Sequence, residues 1–439
     1  MLYRLHELQR SLLDPMAQIA GVVSSTLRDP TSPYAKLPFA RTVGANQGIV
    51  HRLTKRFEKP PFGIERVMAH GREVHVAEDV ILEEPFCELV RFSRSTDDPA
   101  VAEKLKNDPK ILVCAPLSGH HATLLRDTVR SLVAVADVYI TDWIDARDVP
   151  VSAGEFRLDD YVHTLERYMR HLGAKDIHVI AVCQPTVPAL GAVALLAARG
   201  EDTPRSLTLM GGPIDARKNP TQVNELATKK PLSWFEKRLV HKVPKAFAGA
   251  GRRVYPGFLQ LTAFVAMNPS RHAEAYWDYW FDLMKGTKGE AGSLQHERFY
   301  DDYNAVLDMD AAYYLDTVKT VFQEFSLAKG TWDVDGERVR PEAITKTALL
   351  TIEGELDDIC GIGQSEAAHG LCYAIPPEKK KHVLAQGVGH YGIFSGSKWR
   401  EKIFPVVHEF VREHDKAPEA KLLANGATNG VAANGAEVS

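Results

Sequence analysis

A series of short, nearly continuous apolar segments, separated by segments with helical patterning, constrains the fold more than any other feature of this sequence. The apolar segments lie at residues 111–115, 138–141, 177–182 and 207–210, and helices are predicted at 121–134, 157–172 and 185–199. Strands of a parallel sheet have this composition because helices cover both faces and neither face meets water. Since crossovers between such strands are right-handed, the pattern predicts a doubly wound parallel sheet.

The alternation of strands and helices stops after Gly211 and Gly212 and resumes near residue 348. The intervening residues are mostly helical and aromatic in pattern. An insertion at this point is typical of a cap above the carboxyl edge of the sheet, where folds of this kind place their binding sites. We therefore expect an α/β core in two parts, 66–214 and 344–416, around a mostly helical cap at 215–343. The remaining strands of the core are predicted at 72–82, 86–92, 348–352 and 382–385. Its remaining helices are predicted at 362–374 and 398–414.

The two ends of the chain lie outside this pattern. The first fifteen residues place leucines at positions 2, 5, 8 and 12, and Asp14-Pro15 then predicts the end of an amphipathic helix. Its apolar side can pack on the rest of the chain or dock on a hydrophobic particle or partner. We expect residues 1–65 to form this helix and an extended segment, and the Ala-, Gly- and Asn-rich tail at 417–439 to be disordered.

Charge and cysteine content exclude several classes of protein. The formal net charge of −4 provides no basic field for nucleic acid, so we expect no nucleic-acid partner. The five cysteines form no CxxC pair, which argues against a zinc site or a disulfide framework. Charged residues interrupt the apolar runs near the N-terminus, so neither a signal peptide nor a transmembrane segment is expected. These features favour a cytosolic protein with reduced thiols and no cofactor.

Cys183 lies directly after the apolar segment 177–182 and directly before a predicted helix. An α/β hydrolase presents its nucleophile at such a strand-to-helix turn, where the start of the helix also favours a thiolate and a developing oxyanion. The motif departs from the usual small-x-nucleophile-x-Gly pattern, because Pro185 stands where glycine is expected, although Ala181 is small. An isolated cysteine would more often be a buried structural thiol.

Two later segments favour the catalytic interpretation of Cys183. Asp357 follows a predicted strand and Gly354, which is where this fold carries its acid, and Asp358 is the alternative acid. His390 follows the last predicted strand, between two glycines that let the backbone turn. The order nucleophile, acid, histidine is that of α/β hydrolases, so the sequence predicts an α/β-hydrolase fold with a Cys-His-Asp site. His390 would deprotonate the thiol and Asp357 would orient the imidazole.

The loop at 115–121 is the expected source of a second oxyanion donor, beside the backbone N–H of Gln184. We expect that donor to be Leu117 or Ser118. Ser118 could itself be a nucleophile, but it lies at the position of the oxyanion loop and not at a turn between strand and helix. The adjacent His120 and His121 could bind a metal, but neighbouring histidines rarely face one ion, so no metal is expected.

Six segments together resemble the bacterial intracellular polyhydroxybutyrate (polyhydroxyalkanoate) depolymerases. They are APLSGHHATLLRD at 115–127, TDWIDAR at 141–147, VCQPTV at 182–187, GGPIDAR at 211–217, EGELDDI at 353–359 and GHYGIF at 389–394. The resemblance spans roughly the first 415 residues and excludes the tail. Related polyester synthases also use a cysteine at this turn but have a GxCxG pattern, so Ala181 and Pro185 favour the depolymerase branch.

The resemblance implies hydrolysis of amorphous storage polyester at the granule surface in the cytoplasm, with a Cys-Asp-His triad that falls on Cys183, Asp357 and His390. Cap aromatics such as Trp277, Tyr279 and Trp280 could line a groove for the polymer, although most cap aromatics would serve as cap core. Two alternatives stay open, a synthase-like acyltransferase with the same triad and a non-catalytic granule-binding protein. The sequence is also compatible with a homo-oligomer and leaves open whether water or a thiol accepts the acyl group.

Overall fold

Two helices form the N-terminal unit of the protein. The computed structural model describes residues 2–415, so the interpretation of 417–439 as a disordered tail lies outside the described residues. Helix α1 (Leu2–Arg28) packs along α2 (Ala40–Thr54). The predicted end of the first helix at Asp14-Pro15 is wrong, because α1 continues through Pro15 for three more turns. The prediction of an extended segment after the first helix is also wrong over residues 40–54, because α2 forms there.

Close packing between the two helices explains both differences. Gly44 and Gly48 of α2 lie against α1, and a Cβ at Gly48 would lie 3.0 Å from the Ser24 hydroxyl. Proline inside a helix costs about 3 kcal/mol, and burial of one side of α1 against α2 offsets that cost. His51 of α2 also contacts the Ala17 carbonyl oxygen at 2.8 Å. Contacts of this kind between distant parts of the chain leave no local sequence signal.

The first part of the core follows the predicted alternation. Its strands are β1 (Arg66–Ala69), β2 (Arg72–Glu83), β3 (Cys87–Ser95), β4 (Lys110–Cys114), β5 (Asp137–Trp143), β6 (Ile177–Val182) and β7 (Ser206–Met210). Its helices are α3 (Pro99–Lys106), α4 (Arg126–Val133), α5 (Leu158–Leu172) and α6 (Thr186–Ala198). Every residue of β6 and β7 is buried, as expected for strands covered on both faces.

The cap lies between β7 and the second part of the core. Its helices are α7 (Gln222–Lys229), α8 (Leu232–Leu239), α9 (Gly257–Met267), α10 (Pro269–Lys285), α11 (Glu290–Asn304) and α12 (Ala311–Thr317). Five short strands accompany them: β8 (His241–Lys242), β9 (Arg253–Tyr255), β10 (Met309–Asp310), β11 (Asp333–Val334) and β12 (Glu337–Arg338). The core then resumes with β13 (Ala348–Gly354), α13 (Ala368–Leu371), β14 (Lys380–Ala385), α14 (Gly396–Lys398) and α15 (Phe404–Asp415).

The central sheet has nine strands in the order β1-β2-β3-β5-β4-β6-β7-β13-β14. From β5 onwards in this order, each strand pairs with the next in parallel. The three preceding pairs, β1 with β2, β2 with β3 and β3 with β5, are antiparallel. Strand β7 pairs directly with β13, as in the pair Leu207 and Leu349, so the cap is inserted between two neighbouring strands. This topology confirms the predicted α/β-hydrolase fold with a mostly helical cap.

The helix predicted at 362–374 is mostly absent, and only α13 forms there. The backbone amides of this segment are used differently. Gly363, Ser365 and Glu366 donate their N–H groups to the buried Glu353 carboxylate at 2.6–3.0 Å. A helical signal cannot predict this, because the carboxylate that competes for the amides comes from a neighbouring strand. No helix within residues 2–415 is long and apolar enough to cross a membrane.

Candidate active site

Cys183 lies at the turn between β6 and α6 in a left-handed backbone conformation, with φ of 68°. Its N–H donates to the Met210 carbonyl oxygen of β7 at 2.7 Å, which holds the turn against the sheet. A non-glycine residue in this conformation is strained, and such strain is typical of functional sites. Cys183 is partly exposed, whereas the other four cysteines are buried. Burial raises the pKa of those thiols, to about 12 for Cys372, so they are poor nucleophiles.

Gly212 accounts for the departure of Pro185 from the usual motif. A Cβ at Gly212 would overlap the Thr186 hydroxyl and the Cys183 carbonyl oxygen. The close approach that the motif normally obtains from a glycine after the nucleophile is therefore provided by a glycine after the neighbouring strand β7. The Ser365 hydroxyl fixes Gly212 in place, because it accepts from the Gly212 N–H at 2.8 Å and donates to its carbonyl oxygen at 2.9 Å.

His390 and Asp357 meet beside Cys183, although 33 residues separate them in the chain. His390 Nδ1 lies 2.7 Å from Asp357 Oδ2, and both side chains are buried. The other carboxylate oxygen of Asp357 accepts from the N–H groups of Ile359 and Cys360, each at 2.8 Å. These bonds fix the carboxylate, and the carboxylate in turn fixes the imidazole so that Nε2 is available to the thiol.

The surroundings of His390 favour its charged form. Burial by itself lowers the pKa of His390, but the charges of Asp357 and Cys183 and hydrogen bonds to both raise it well above the ordinary histidine value. A histidine held as an imidazolium beside a thiol stabilises the thiolate, which is the nucleophilic form of cysteine. The arrangement is therefore suited to attack by Cys183 on an acyl carbon.

The predicted oxyanion donors lie on two segments, the turn that contains Cys183 and the loop after β4. Within residues 2–415, the Gln184 N–H donates no hydrogen bond to another backbone group. The loop that contains Leu117 and Ser118 is held on both sides, because the Ala115 N–H donates to the Thr141 hydroxyl at 2.8 Å and the Gly119 carbonyl accepts from Leu307 of the cap at 2.8 Å. An N–H group that no other backbone group uses is available to a developing oxyanion, so Gln184 stays a candidate donor together with Leu117 or Ser118.

The histidines at 120 and 121 are both buried. Burial lowers the pKa of His120 to about 4 and that of His121 to about 3. His120 packs between the rings of Phe264 and Tyr303, each 5.1 Å away. Within residues 2–415, another group of side chains, Glu353, Glu366 and His382, has its potential metal-ligand atoms within 4.8 Å of one another. The Glu353 oxygens of this group already accept backbone N–H groups.

A cavity of about 430 Å³ lies between cap helices α9–α11 and the loops that follow β13 and β14. Tyr391 and Asp358, the neighbours of His390 and Asp357, line it. Of the three aromatics predicted to bind substrate, Tyr279 lines this cavity, while Trp277 and Trp280 stack on each other at 5.6 Å outside it. The prediction missed Tyr303 and Tyr391, whose rings lie 5.6 Å apart. The position of Tyr391 next to the candidate histidine was the one available signal.

A family model described as "PHB de-polymerase C-terminus" matches residues 211–415. The match begins after Cys183 and includes the cap, Asp357 and His390. No curated protein matches the chain.

Solved structures similar to this chain have low sequence identity. They include a 2-hydroxy-6-oxo-6-phenylhexa-2,4-dienoate hydrolase from Rhodococcus sp. strain RHA1, at 11% identity and a TM-score of 0.41, with 77% of this chain and 99% of that one covered. A bromoperoxidase from Bacillus anthracis is similar at 13% identity and a TM-score of 0.41, with 77% and 99% covered. A thioesterase domain from the curacin biosynthetic pathway is similar at 10% identity and a TM-score of 0.40, with 76% and 99% covered. Residues 211–415 of this chain, a little under half of it, match the model of the PHB de-polymerase C-terminus family.

Proposed function

We propose that this protein hydrolyses polyhydroxybutyrate, or a related polyhydroxyalkanoate, to 3-hydroxybutyrate and oligomers through an acyl-thioester on Cys183. One observation carries the proposal: the strained, partly exposed Cys183 lies beside His390, whose imidazole contacts Asp357 at 2.7 Å, in a chain whose residues 211–415 match this family model. A fully buried thiol, or a histidine without its carboxylate, would not support the same chemistry.

The reaction has two halves. In the first, the Cys183 sulfur attacks the ester carbonyl carbon, and the C–S bond forms as the C–O bond to the leaving alkoxide breaks. His390 donates its proton to that alkoxide. The N–H groups of Gln184 and of Leu117 or Ser118 stabilise the developing oxyanion, each by about 3 to 4 kcal/mol. In the second half, His390 removes a proton from water, which attacks the thioester and releases the acid and the free thiol.

The cavity beside the site fits a flexible apolar chain with regular ester groups. Its lining combines aromatic rings with hydroxyl groups of Tyr300 and Tyr303. Rings provide apolar contact area and phenol hydroxyls can donate to ester carbonyls. We assign the polymer-binding role to this cavity and to Tyr279, and we keep Trp277 and Trp280 as candidates for contact with polymer outside it. The cellular location that goes with this substrate is the cytoplasmic surface of storage granules.

Product analysis on amorphous polyhydroxybutyrate granules tests the proposal. We expect the wild type to release 3-hydroxybutyrate or its oligomers, and Cys183→Ala to lose activity by about a millionfold, because the members of such a site act as a unit. The circular dichroism spectrum should not change, since Cys183 is only partly buried.

Chemical labelling separates the alternatives. Iodoacetamide should inactivate the wild type faster than a serine-directed fluorophosphonate does, because the four other thiols are buried. Labelling of Ser118 by the fluorophosphonate would contradict the cysteine assignment. Polymer formation from 3-hydroxybutyryl-CoA would favour the acyltransferase alternative, and full activity of Cys183→Ala would exclude Cys183 as the nucleophile.

A further inference from the structure

Helix α1 exposes an apolar stripe along its length. The stripe consists of seven residues that are each between 43% and 72% exposed: Leu2, Leu5, Leu8, Leu12, Met16, Ile19 and Val22. Their spacing of three or four residues places them on one face of the helix. Val22 lies 20 residues after Leu2, which corresponds to about 30 Å along the helix.

The stripe lies in the part of the chain that has the most exposed large hydrophobic residues. Twelve of the 22 large hydrophobic residues that are exposed in the described chain lie within residues 2–53. Single exposed apolar residues are normal on a protein surface, but a continuous patch marks an interaction site. The concentration in one short part of the chain indicates that this surface has a partner.

The side of α1 away from the stripe already holds the helix on the protein. The Tyr3 hydroxyl donates to the Asp308 carboxylate at 2.6 Å, and the His6 ring stacks on Phe258 of α9 at 3.9 Å. Ala17 and Ala20 are buried. Because the helix is anchored by these contacts, the stripe is left over for a partner and is not the face that attaches α1 to its own domain.

The anchoring contacts join α1 to the helices that form the substrate cavity. Phe258 belongs to α9, and Phe264 of the same helix lines the cavity. Helix α2, which packs on α1, contacts α10 through a hydrogen bond from the Trp280 indole to Asn46 at 2.8 Å. Helix α10 contributes Tyr279 to the cavity. A surface held by the stripe would therefore be connected to the cavity helices through α1 and α2.

The chemistry of the stripe favours an uncharged apolar partner. None of its seven residues is charged, and the nearby hydroxyls of Ser11 and Ser25 donate to carbonyl oxygens of their own helix, at 3.0 Å each. Two acidic residues of α1, Glu7 and Asp14, face Arg56 just after α2, at 3.2 and 3.7 Å. A protein partner would require about one hydrogen bond per 100–200 Å², and an anionic membrane would require a basic cluster. The stripe provides neither.

We propose that the apolar stripe of α1 docks the protein on the surface of amorphous storage polyester, which keeps the site at Cys183 close to its polymer substrate. The proposal rests on the function proposed above, because the polyester is the substrate of that site. It assigns adsorption to α1 and bond cleavage to the site at Cys183, so the two can be lost separately.

A double variant with charges in the stripe tests this assignment. Leu8→Glu/Ile19→Glu should reduce co-sedimentation of the protein with amorphous polyhydroxybutyrate granules by about ten- to a hundredfold, because each buried leucine or isoleucine contributes about tenfold to adsorption. The rate on p-nitrophenyl butyrate should stay within about twofold, since binding of a small ester does not involve adsorption. The matched control, Leu226→Glu/Tyr373→Glu, makes the same charge change at two other exposed apolar positions and should bind granules like the wild type.

Other outcomes would contradict either this proposal or the proposed function on which it rests. Unchanged granule binding by the stripe variant, or equal loss in the control variant, would contradict docking through α1. A change from dimer to monomer in sedimentation velocity, with granule binding unchanged, would assign the stripe to a second copy of the chain. If the wild type binds phosphatidylglycerol vesicles as well as granules, and the stripe variant loses both to the same extent, the stripe would be assigned to lipid. Granule binding through the stripe by a wild type that cleaves no polyester would preserve this inference and reject the proposed function.

Discussion

At the scale of single residues, the charge state of His390 depends on Asp357 and Cys183. The backbone turn exposes the sulfur, and the imidazole beside it carries a raised pKa because Asp357 and Cys183 outweigh the effect of burial. Because its pKa is raised, His390 stays protonated to a higher pH than an ordinary histidine does. At a given pH a larger fraction of His390 is therefore imidazolium, the form that favours a neighbouring thiolate.

Replacing Asp357 by Asn should separate these effects. We expect the hydrolysis rate to fall by about ten-thousandfold, because the amide cannot hold the imidazole in the required tautomer and charge state. The pKa of His390 should fall, since burial remains while the carboxylate charge is lost. The measurement is an NMR titration of the His390 ring, assigned with His390→Gln, alongside kcat/KM. If Asp358→Asn instead causes the large loss and Asp357→Asn does not, Asp358 is the acid.

At the scale of elements, the short cap sheet is held on the core by one buried arginine. Arg252, just before β9, pairs with Asp310 at 2.8 Å, and both side chains are 3% exposed. The same guanidinium donates to the carbonyl oxygens of Val149 and Gly154 in the core. Its neighbour Arg253 pairs with Glu236 at 2.6 Å at the surface, where both side chains are about half exposed.

These adjacent arginines form a matched pair for a stability test. Arg252→Met should lower the free energy of unfolding by about 3 to 5 kcal/mol, because it leaves the Asp310 carboxylate and several carbonyls buried without a donor. Arg253→Met should lower it by no more than about 1 kcal/mol, since exposed pairs contribute little. Urea denaturation measures both. Equal effects of the two substitutions would contradict the structural role of Arg252, and Arg252→Lys provides a milder variant if Arg252→Met does not fold.

At the scale of the whole molecule, α1, the core and the cap meet at a pair of buried carboxyl groups. Asp145 follows β5, and Asp308 precedes β10 and accepts from Tyr3 of α1. The Asp308 N–H also donates to Asp145 at 3.1 Å. Burial, together with the charge of Asp308, raises the pKa of Asp145 to about 8. The folded protein therefore keeps a proton that the unfolded chain, with an aspartate pKa near 3.9, has lost.

This proton makes stability depend on pH. Because the native state binds more protons than the unfolded state between about pH 4 and about pH 8, the free energy of unfolding should fall as pH rises through this range. The raised pKa of His390 acts in the same direction. The informative measurement is therefore the change in unfolding free energy from pH 6.5 to 8.5 in the wild type and in Asp145→Asn. A slope that Asp145→Asn does not flatten would contradict a retained proton at this site.

The sequence by itself determined the fold class, the place of the cap and the order of nucleophile, acid and histidine. It could do so because these depend on local properties: buried parallel strands are continuously apolar, and the candidate residues follow strands directly in the chain. Asp357 and His390, 33 residues apart in the chain, lie close together because the strands before them are parallel and end at the same edge of the sheet. The roles assigned to these residues remain predictions.

Only the tertiary structure decided the rest. Helix α1 continues through Pro15, and α2 forms at all, because small residues on the two helices let them pack closely. The predicted helix at 362–374 gives way to a loop because the Glu353 carboxylate binds its backbone amides. The cavity combines Tyr279 of the cap with Tyr391 from the core loop after β14. Each of these features comes from contacts between residues far apart in the chain, and local periodicity carries no information about such contacts.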